Sequence, residues 1–355
     1  MPAAEPSFST IRDEIDAALA TSVRELIISV QQETAVSYVT ESVVYLEKLI
    51  LSGGKRIRGY GAYQMYLSAG GTDKAVALQI AVALELFHLF AIIHDDIMDE
   101  ASSRRGVTTM HHYTEEWLRS HGRIGKLSRI SDSQAMLWGD FLLALSQAKL
   151  QQVHISPEQK VSLNAVFSRM FLEVVVGQMI DVDMTTRRDV TEAELHEKTM
   201  LKSTLYTYVR PMQMGVAAAG AGESWMQFAD VYGRSLGTAF QIQDDLFDVI
   251  LTEGQMQKPV LNDIQEGAHT VLTSFILREG TAEQRELLKK FMGTKLTDAE
   301  LQEARDLYRE SGAITKAERD IAQAFAGARK ALSSLTESER KPWEDLVTLI
   351  EQRKR

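Results

Sequence analysis

Two aspartate-rich motifs are the stretches of this sequence best suited to chemistry. The first, at residues 95–99, ends a long apolar run that begins near Ala75, and the second lies at residues 244–248. Their carboxylates are Asp95, Asp96, Asp99, Asp244, Asp245 and Asp248. At 100° per residue each set falls on one side of a helix, where like charges repel by roughly 1 kcal/mol or more per close pair. Mg²⁺ prefers such oxygens together with substrate phosphates, so the spacing indicates a bound metal, although one motif alone could be a solvated helix end.

Two basic clusters accompany the acidic motifs. Gly53 and Gly54 lead into Lys55 and Arg58, and an Arg-Arg-Gly sequence at 104–106 follows the first motif. Glycines before a helix start let backbone N–H groups approach an anion, and cations three residues apart share a helix face. Adjacent arginines beside aspartates could instead be simple ion pairs, but a site for a metal and a diphosphate needs the same two signs.

Helices must position these groups, because apolar residues recur at helical spacing through most of the chain. Helices are predicted at 9–32, 36–50, about 75 to the first motif, about 132–153, 157–181, the segment before Pro211, and 225–250. Charged amphipathic helix follows from 281 to 355, with a break at 311–313. No stretch shows strand-like alternation, so the predicted fold class is all-α, with a kink or break at Pro211.

Length and composition favour one globular domain over residues 1–355, with N-terminal helices at 1–50 and C-terminal helices at 281–355. The chain has no cysteine, which excludes disulfides and thiolate metal sites. Its net charge of −10 argues against nonspecific nucleic-acid binding. No signal-peptide pattern opens the chain, and Glu85 and His88 interrupt its longest apolar run. We therefore expect a cytoplasmic protein without a membrane span.

The chemistry best suited to two acidic faces and two basic clusters is the breaking of a carbon–diphosphate bond. Carboxylates would hold Mg²⁺ on the diphosphate, lysines and arginines would absorb its charge as it leaves, and a dry apolar cavity would protect the carbocation from water. Gly233 and Gly237 lie on the same helix side as Gln241 and the second motif, which indicates either close packing or room for a ligand.

Taken together, the motifs make this chain resemble a family, the trans-isoprenyl diphosphate synthases (polyprenyl synthetases), and most of all those that make geranylgeranyl diphosphate. The shared landmarks are Gly53-Gly54-Lys55-Arg56-Ile57-Arg58, His88, the two aspartate motifs, Arg104-Arg105-Gly106, Gly139-Asp140, Gly177-Gln178 with Asp181, Lys202-Ser203, Phe240-Gln241 and Lys258. They cover nearly the whole chain. The resemblance implies a single-domain bundle of long helices around a central cavity (isoprenoid synthase type), usually a homodimer.

The resemblance also implies an activity, which is the condensation of isopentenyl diphosphate with dimethylallyl, geranyl or farnesyl diphosphate. The steps are Mg²⁺-assisted ionisation, addition and deprotonation, with three Mg²⁺ ions per active site and Mn²⁺ as a substitute. The implied metal ligands are Asp95, Asp99, Asp244 and Asp248, joined as catalytic residues by Asp96, Asp245 and Lys202. The implied allylic-diphosphate ligands are Arg104, Lys202, Gln241 and Lys258, with Ser203 also binding substrate. The implied isopentenyl-diphosphate ligands are Lys55, Arg58, His88 and Arg105.

Product length in the resembling family depends on the residues four and five before the first motif, here Ala91 and Phe90. Ideal geometry places Ala91 on the face of Asp95 but turns Phe90 about 100° aside, so the role of Phe90 rests on the resemblance. A small residue followed by a ring, and an ungapped Asp95–Asp99 spacing, favour a twenty-carbon product. We therefore expect geranylgeranyl diphosphate, with farnesyl diphosphate as the alternative and Phe87 as the next candidate for the cavity wall.

The chain departs from the family pattern at Gly59 and Thr108, where Pro is common, and at Ala268, where Lys is common. Gly59 is expected to affect only the local turn. Loss of the lysine could weaken diphosphate binding or alter metal closure, with His269 as a partial replacement.

Three other functions fit parts of the pattern. A class I terpene cyclase does not need a second diphosphate site, and a non-catalytic prenyl-chain-binding subunit has little reason to keep both acidic motifs. A ferritin-like di-metal oxidase is suggested by Glu-x-x-His at 85–88 and 266–269, but that fold also needs a Glu from each of two further helices. His111, His112 and His121 lack such spacing and are expected at the surface.

Overall fold

The computed structural model describes residues 7–187, 190–251 and 261–353. The chain divides into two compact units, one of Met1–Asn164 with Met214–Ala221, the other of Ala165–Gln213 with Gly222–Arg355. The organisation of the chain as a single domain remains a prediction.

The first unit consists of long helices and one small hairpin. Its elements are α1 (Phe8–Glu33), α2 (Ser37–Leu51), α3 (Ile57–Ser68), α4 (Lys74–Met98), β1 (Ser103–Arg104), β2 (Val107–Thr108), α5 (Met110–Ser120) and α6 (Leu127–Gln151). α7 (Pro157–Met184) begins in this unit, and α9 (Arg210–Ala219) ends in it.

Among the described residues of the second unit, all regular elements are helices. Its elements are α8 (Glu192–Thr199), a π-helix (Met200–Val209), α10 (Glu223–Ile250), α11 (Asn262–Glu266), α12 (Val271–Glu279), α13 (Ala282–Phe291), α14 (Asp298–Glu310), α15 (Ala313–Ala331), a 3₁₀ turn (Leu332–Ser334) and α16 (Glu337–Glu351). The all-α prediction is confirmed, and the predicted break at 311–313 is a turn with Gly312 at φ 82°.

The hairpin β1–β2 is the only sheet among the described residues. Arg104 pairs with Val107 in antiparallel register, which leaves a two-residue loop of Arg105 and Gly106. Both loop residues have positive φ, 52° and 74°, as a type I′ turn requires. With only two residues per strand, this hairpin has no alternating pattern that sequence inspection could detect.

α4 is the apolar core helix that ends in the first aspartate motif. Asp73 caps its N-terminus by accepting a hydrogen bond from the N–H of Ala75 at 2.9 Å. Of the helices that the structure describes, this is the one long and apolar enough to cross a membrane, and 72% of its most apolar window is buried inside the protein. A buried core helix passes that test as readily as a membrane span, so the finding is weak evidence for a span.

The π-helix at Met200–Val209 packs against glycines of two neighbouring helices. A Cβ on Gly177 of α7 would lie 2.3 Å from the backbone nitrogen of Lys202, and one on Gly237 of α10 would lie 2.6 Å from the methyl carbon of Thr204. Gly233 meets Val209 in the same way. Close packing, rather than room for a ligand, therefore explains the glycines of α10. Near Pro211 the chain does not break, because the π-helix continues directly into α9 with a change of hydrogen-bond pattern.

Gly177→Ala is expected to lower the free energy of unfolding by about 3 kcal/mol, the upper range for overpacking, because its methyl group would meet rigid backbone. Urea denaturation followed by circular dichroism would measure the change. Gly222→Ala is the control, since no atom lies within 4 Å of its added Cβ. Equal stability of the two variants would contradict the proposed close approach.

Candidate active site

The carboxylates of the first acidic motif, at the end of α4, have different surroundings. Asp96 is buried and accepts a hydrogen bond from Nε of Arg104 at 2.7 Å. The same guanidinium lies 3.6 Å from Oδ2 of Asp95, and Asp99 is the exposed C-cap residue of the helix. Asp95 and Asp99, one helical turn apart, are thus more accessible than Asp96 to an incoming cation.

The basic stretch before α3 is not the helix face that its spacing predicted. α3 begins at Ile57, and Arg56 before it has a left-handed backbone with φ 49°. Lys55 is exposed and lies outside the helix, whereas Arg58 lies within it. The prediction that Lys55 and Arg58 share a helix face was therefore wrong, because the chain turns sharply between them.

Arg56 belongs to the core of the first unit. Its Nε lies 2.7 Å from Oδ1 of Asp16, and its Nη1 lies 3.2 Å from Oε2 of the buried Glu85. The second oxygen of Glu85 accepts a hydrogen bond from the backbone N–H of Gly59 at 3.1 Å. Gly59 therefore does more than shape a turn, because it helps to satisfy a buried carboxylate.

Arg58 meets His88 in the first unit, with Nη1 of Arg58 3.2 Å from Nε2 of the ring. Burial, followed by the charges of Arg58, Arg105, Arg104 and Arg56, lowers the pKa of His88 well below its usual value. The ring is therefore neutral at pH 7 and accepts the hydrogen bond from Arg58. The convergence of arginine charges on one histidine is the electrostatic environment that a diphosphate would need.

Arg105 joins this basic cluster from the hairpin loop. Its Nη1 donates a hydrogen bond to the carbonyl of Gly53, and a Cβ on Gly54 would lie 2.9 Å from the same nitrogen. Burial and the neighbouring arginines lower the pKa of Arg105, although a guanidinium stays protonated in proteins. The Gly-Gly pair thus admits a cation close to the backbone.

Because of His88, the free energy of unfolding is expected to decrease as the pH is lowered below about 6.5. The unfolded chain binds a proton at this ring below about pH 6.5, while the folded protein resists it, so up to about 1.4 kcal/mol per pH unit is lost as pH falls from there. His88→Gln keeps an acceptor for Arg58 and should show a smaller loss between pH 7.5 and 5.5 in urea unfolding. His154→Gln, at an exposed position, is the control. Parallel losses in all three proteins would contradict the burial of an uncharged ring.

The residues expected to set product length lie one turn before the first motif. Phe90 is buried, with its ring centroid 4.8 Å from that of His94 and 5.3 Å from that of Phe87. Ala91 is half-buried. A Cβ on Gly139 of α6 would lie 2.3 Å from the ring of His94, so this glycine makes room for the histidine that supports Phe90.

In the second unit, Asp181 on α7 binds two lysines. Nζ of Lys202 lies 2.5 Å from Oδ2 of Asp181, and Nζ of Lys198 lies 3.1 Å from its Oδ1. Burial alone would raise the pKa of Asp181, but the two lysines outweigh it and lower that pKa. Ser203 is half-buried on the π-helix. Lys202 therefore contacts both residues, Gly177 through its backbone and Asp181 through its ammonium group, whose position the aspartate fixes.

In the second acidic motif, Asp245 is buried and accepts a hydrogen bond from Nε2 of Gln241 at 2.9 Å. Burial raises the pKa of Asp245 to about 6, against the effects of Gln241 and Lys198. This predicted allylic-diphosphate ligand, Gln241, thus lies beside an aspartate that loses its proton less readily than usual.

Asp248 is a buried member of the second motif and contacts the backbone at the start of α11. Its Oδ1 and Oδ2 accept hydrogen bonds from the backbone N–H groups of Asn262 at 3.0 Å and Asp263 at 3.1 Å. Burial, then the charges of Asp248 and Asp245, raise the pKa of Asp263 well above its usual range. The predicted metal role of Asp248 stays a prediction, and the structure adds a backbone-capping contact.

Asp244, the most exposed member of the second motif, forms an ion pair with Arg353. Nη2 of Arg353 lies 2.7 Å from Oδ1 of Asp244. Sequence inspection missed this arginine because nothing in its neighbourhood distinguishes it from the other charges of the C-terminal helices. It also missed Lys198, although a lysine four residues before Lys202 was a signal that the two could share a partner.

Among the described residues, no three His, Asp or Glu side chains are grouped so that they could hold a metal ion by themselves. Mg²⁺ keeps waters and takes phosphate oxygens beside one or two carboxylates, and Asp95 and Asp99 are accessible carboxylates of this kind. The Glu-x-x-His pairs are also accounted for otherwise, since Glu85 binds Arg56 and Glu266 accepts from Asn262. The donor set therefore fits magnesium carried with a diphosphate.

Some predicted residues lie elsewhere. Lys258 falls outside the described residues. His269 is buried, its Nε2 lies 3.1 Å from the carbonyl of Arg187, and its own carbonyl accepts a hydrogen bond from Lys198. Its role as a partial replacement for the lysine stays a prediction. His111 is also buried, which corrects the expectation of a surface position, while His121 is exposed.

Comparison with known proteins agrees with these observations. The family model described as polyprenyl synthetase matches residues 41–310. The short chain isoprenyl diphosphate synthase of Methanothermobacter thermautotrophicus is 31% identical over 293 residues, covering 82% of this chain and 84% of that protein. The geranylgeranyl diphosphate synthase of Methanosarcina mazei is 31% identical over 232 residues, covering 65% of this chain and 66% of that protein.

Solved structures show the same similarity. The geranylgeranyl pyrophosphate synthase of Corynebacterium glutamicum, crystallised with isoprenyl diphosphate and magnesium, has a TM-score of 0.89 and 26% identity, with 97% of this chain and 99% of that chain covered. That of Pyrococcus horikoshii has a TM-score of 0.81 and 26% identity, with 98% of each chain covered. The chain therefore belongs to the polyprenyl synthetase family and is a trans-prenyltransferase that makes prenyl diphosphates.

Proposed function

We propose that this transferase condenses isopentenyl diphosphate with dimethylallyl, geranyl or farnesyl diphosphate and releases geranylgeranyl diphosphate. Both aspartate motifs are intact, and each lies in a unit that also carries cations suited to a diphosphate. The observation that supports the proposal most strongly is the basic cluster around the neutral ring of His88. A second diphosphate site is what a condensing enzyme needs and a cyclase does not.

The roles we propose for the side chains follow from their surroundings. Arg58, Arg105 and the neutral His88, with the exposed Lys55, bind isopentenyl diphosphate. Arg104, Lys202, Gln241, Ser203 and Lys258 bind the allylic diphosphate and offset its growing negative charge as the carbon–oxygen bond breaks. The double bond of isopentenyl diphosphate then attacks the carbocation, and the departing diphosphate takes the proton that the new bond releases.

Mg²⁺ is the cofactor that we propose, because the C. glutamicum relative was crystallised with it and the carboxylates here suit it. When bound it would polarise the diphosphate and shield its charge. Asp95 and Asp99, Asp244 and Asp248 are the proposed ligands, with three ions per active site and Mn²⁺ as a substitute. Asp96 and Asp245 complete the catalytic set, the first by positioning Arg104 and the second by positioning Gln241.

Relatives of this chain include synthases named for products of different lengths. The matches include a geranylfarnesyl diphosphate synthase of Aeropyrum pernix, 31% identical, and a nonaprenyl diphosphate synthase of Mycobacterium tuberculosis, 28% identical. Ala91 one turn before Asp95, and the buried ring of Phe90, support geranylgeranyl diphosphate.

We also propose a cytoplasmic homodimer. Four large apolar side chains of α6 are exposed in the single chain: Ile130, Met136, Leu137 and Phe141. A second copy that covers this face would remove them from water. Sedimentation equilibrium should give about twice the 39.7 kDa of one chain, and a monomer at micromolar concentration would contradict this assignment.

The decisive assay uses radiolabelled isopentenyl diphosphate with each of the three allylic primers, and separates products by chain length. Twenty-carbon product from every primer is expected. Fifteen-carbon product alone would identify a farnesyl diphosphate synthase, longer products would overturn the proposed length, and no turnover with any primer would favour a non-catalytic prenyl-binding subunit.

The two diphosphate sites should separate in steady-state kinetics, because a residue that binds one substrate affects mainly the KM of that substrate. Lys55→Ala and Arg58→Ala are expected to raise the KM for isopentenyl diphosphate by about tenfold, the scale of a lost charge-assisted contact. Lys202→Ala should instead raise the KM for the allylic substrate. Lys149→Ala, which removes a lysine paired with Glu25, is the control. Equal effects on both KM values would contradict the assigned roles.

A further inference from the structure

Arg353 is the residue directly after Gln352, the C-cap of α16, and its side chain is built into the second acidic motif. Beside the ion pair with Asp244, its Nε donates to Oε1 of Gln243 at 3.0 Å and its Nη2 donates to the carbonyl of Phe240 at 2.8 Å. The guanidinium carbon lies 3.9 Å from the ring centroid of Phe240. Only 6% of this side chain is exposed, so the contact is a specific one and not a passing surface pair.

The helix that carries Arg353 is firmly attached to α10. Trp343 is fully buried, its ring centroid is 5.6 Å from that of Tyr232, and its carbonyl accepts the hydroxyl of Tyr232 at 2.8 Å. Leu346 and Ile350 are buried further along α16. Arg353 therefore extends from an anchored helix, so its release from Asp244 would loosen only the last turn of α16 and leave the rest of the helix in place.

We propose that Arg353 is a built-in counter-ion of the second acidic motif that competes with the metal for Asp244. This inference rests on the proposed metal role of Asp244. Mg²⁺ binds carboxylate oxygens at about 2.0 to 2.1 Å and keeps a shell of waters, so a metal held by Asp244 would compete for space with the guanidinium that lies 2.7 Å from this carboxylate. Two cations at one carboxylate also repel each other. Binding of metal at Asp244 is thus coupled to release of Arg353.

This competition makes Arg353 a regulator of metal binding at the second acidic motif. Without metal, Arg353 offsets the charge of Asp244 and also contacts Phe240 and Gln243 on α10. With metal, the arginine is displaced toward solvent, and the C-terminal end of α16 loses three contacts at once. The Mg²⁺ concentration at which this motif fills is therefore set partly by Arg353.

Mn²⁺ binding, measured by electron paramagnetic resonance without substrate, tests the proposal in the full chain. Arg353→Gln should bind Mn²⁺ about tenfold more tightly than the unaltered protein at the motif, as expected when a close competing ion is removed, and Arg353→Lys should fall between them. Arg329→Gln is the matched control, because it removes a charge from the same region that pairs with Glu351 instead. Mn²⁺ affinity of Arg353→Gln equal to or below that of the unaltered protein would overturn the competition.

A second measurement holds even if Arg353→Gln folds poorly. Hydrogen exchange of the unaltered protein should become several times faster in peptides covering 346–353 when Mg²⁺ is added, and unchanged exchange there would also overturn the proposal. Asp244→Asn separates this inference from the proposed function. If Asp244→Asn does not weaken Mn²⁺ binding, the metal assignment itself fails. If Asp244→Asn weakens Mn²⁺ binding but Arg353→Gln leaves it unchanged, the metal assignment stands and the proposed competition by Arg353 is wrong.

Discussion

Replacing Asp95 or Asp244 with alanine is expected to lower kcat by about 10² or more, the scale seen when a group that stabilises transition-state charge is lost. Each carboxylate is more accessible than the buried aspartate that follows it, Asp96 after Asp95 and Asp245 after Asp244. Each would hold a cation against the departing diphosphate, where the negative charge develops. Steady-state kinetics at saturating Mg²⁺ and substrates would measure the effect.

Asp230→Ala is a suitable control for this experiment. Asp230 lies on α10, as Asp244 does, and pairs with Arg234 away from the motif. Its kcat should stay close to that of the unaltered enzyme. Near-normal kcat in both motif variants, or full turnover in excess chelator, would mean that the aspartates do not act through a metal.

Ala91→Phe is expected to shift the main product from twenty to fifteen carbons, and Phe90→Ala to give products longer than twenty. Ala91 is half-buried on the face of Asp95, so a ring there would narrow the space for the growing chain. Phe90 packs edge-on against His94, and its loss would leave a void at a close-packed wall. Thin-layer separation of dephosphorylated products would show both shifts.

The stability of each variant decides how such a shift is interpreted. Phe90→Ala removes a buried ring and is expected to cost about 3 to 5 kcal/mol, so its thermal midpoint should be measured beside its products. An unchanged product distribution in both folded variants would place the wall elsewhere, with Phe87 as the next residue to change.

Sequence reasoning predicted the helices well because they depend on short, regular spacing. The 3.6-residue period located α4 and α10, which carry the two acidic motifs, while the metal role of their aspartates stays a prediction. Sequence reasoning failed at Arg56, whose buried ion pair with Glu85 and Asp16 joins residues far apart in the chain. A pattern of adjacent cations gives no indication of which one turns inward.

The π-helix and Arg353 were also beyond sequence reasoning. A π-helix has no distinctive composition, and Gly177 suggests close packing without naming its partner, the backbone at Lys202. Arg353 reaches Asp244 only because α16 is anchored through Trp343, a tertiary contact. In both cases the missing information was which distant segments pack together.

The hydrogen bond from Gly59 to Glu85 limits the use of family consensus in engineering this enzyme. Pro is common at this position in the family, and replacing a rare residue by the common one is a usual route to stabilisation. Here Gly59→Pro would remove the N–H that satisfies Oε1 of Glu85, and an unsatisfied buried acceptor costs about 1 to 3 kcal/mol. A side chain at this position would also be tightly packed, because an added Cβ would lie 3.2 Å from the Cβ of Ala81. A stabilised form of this protein should therefore keep its own glycine, because the buried Glu85 that pairs with Arg56 also accepts the N–H of Gly59.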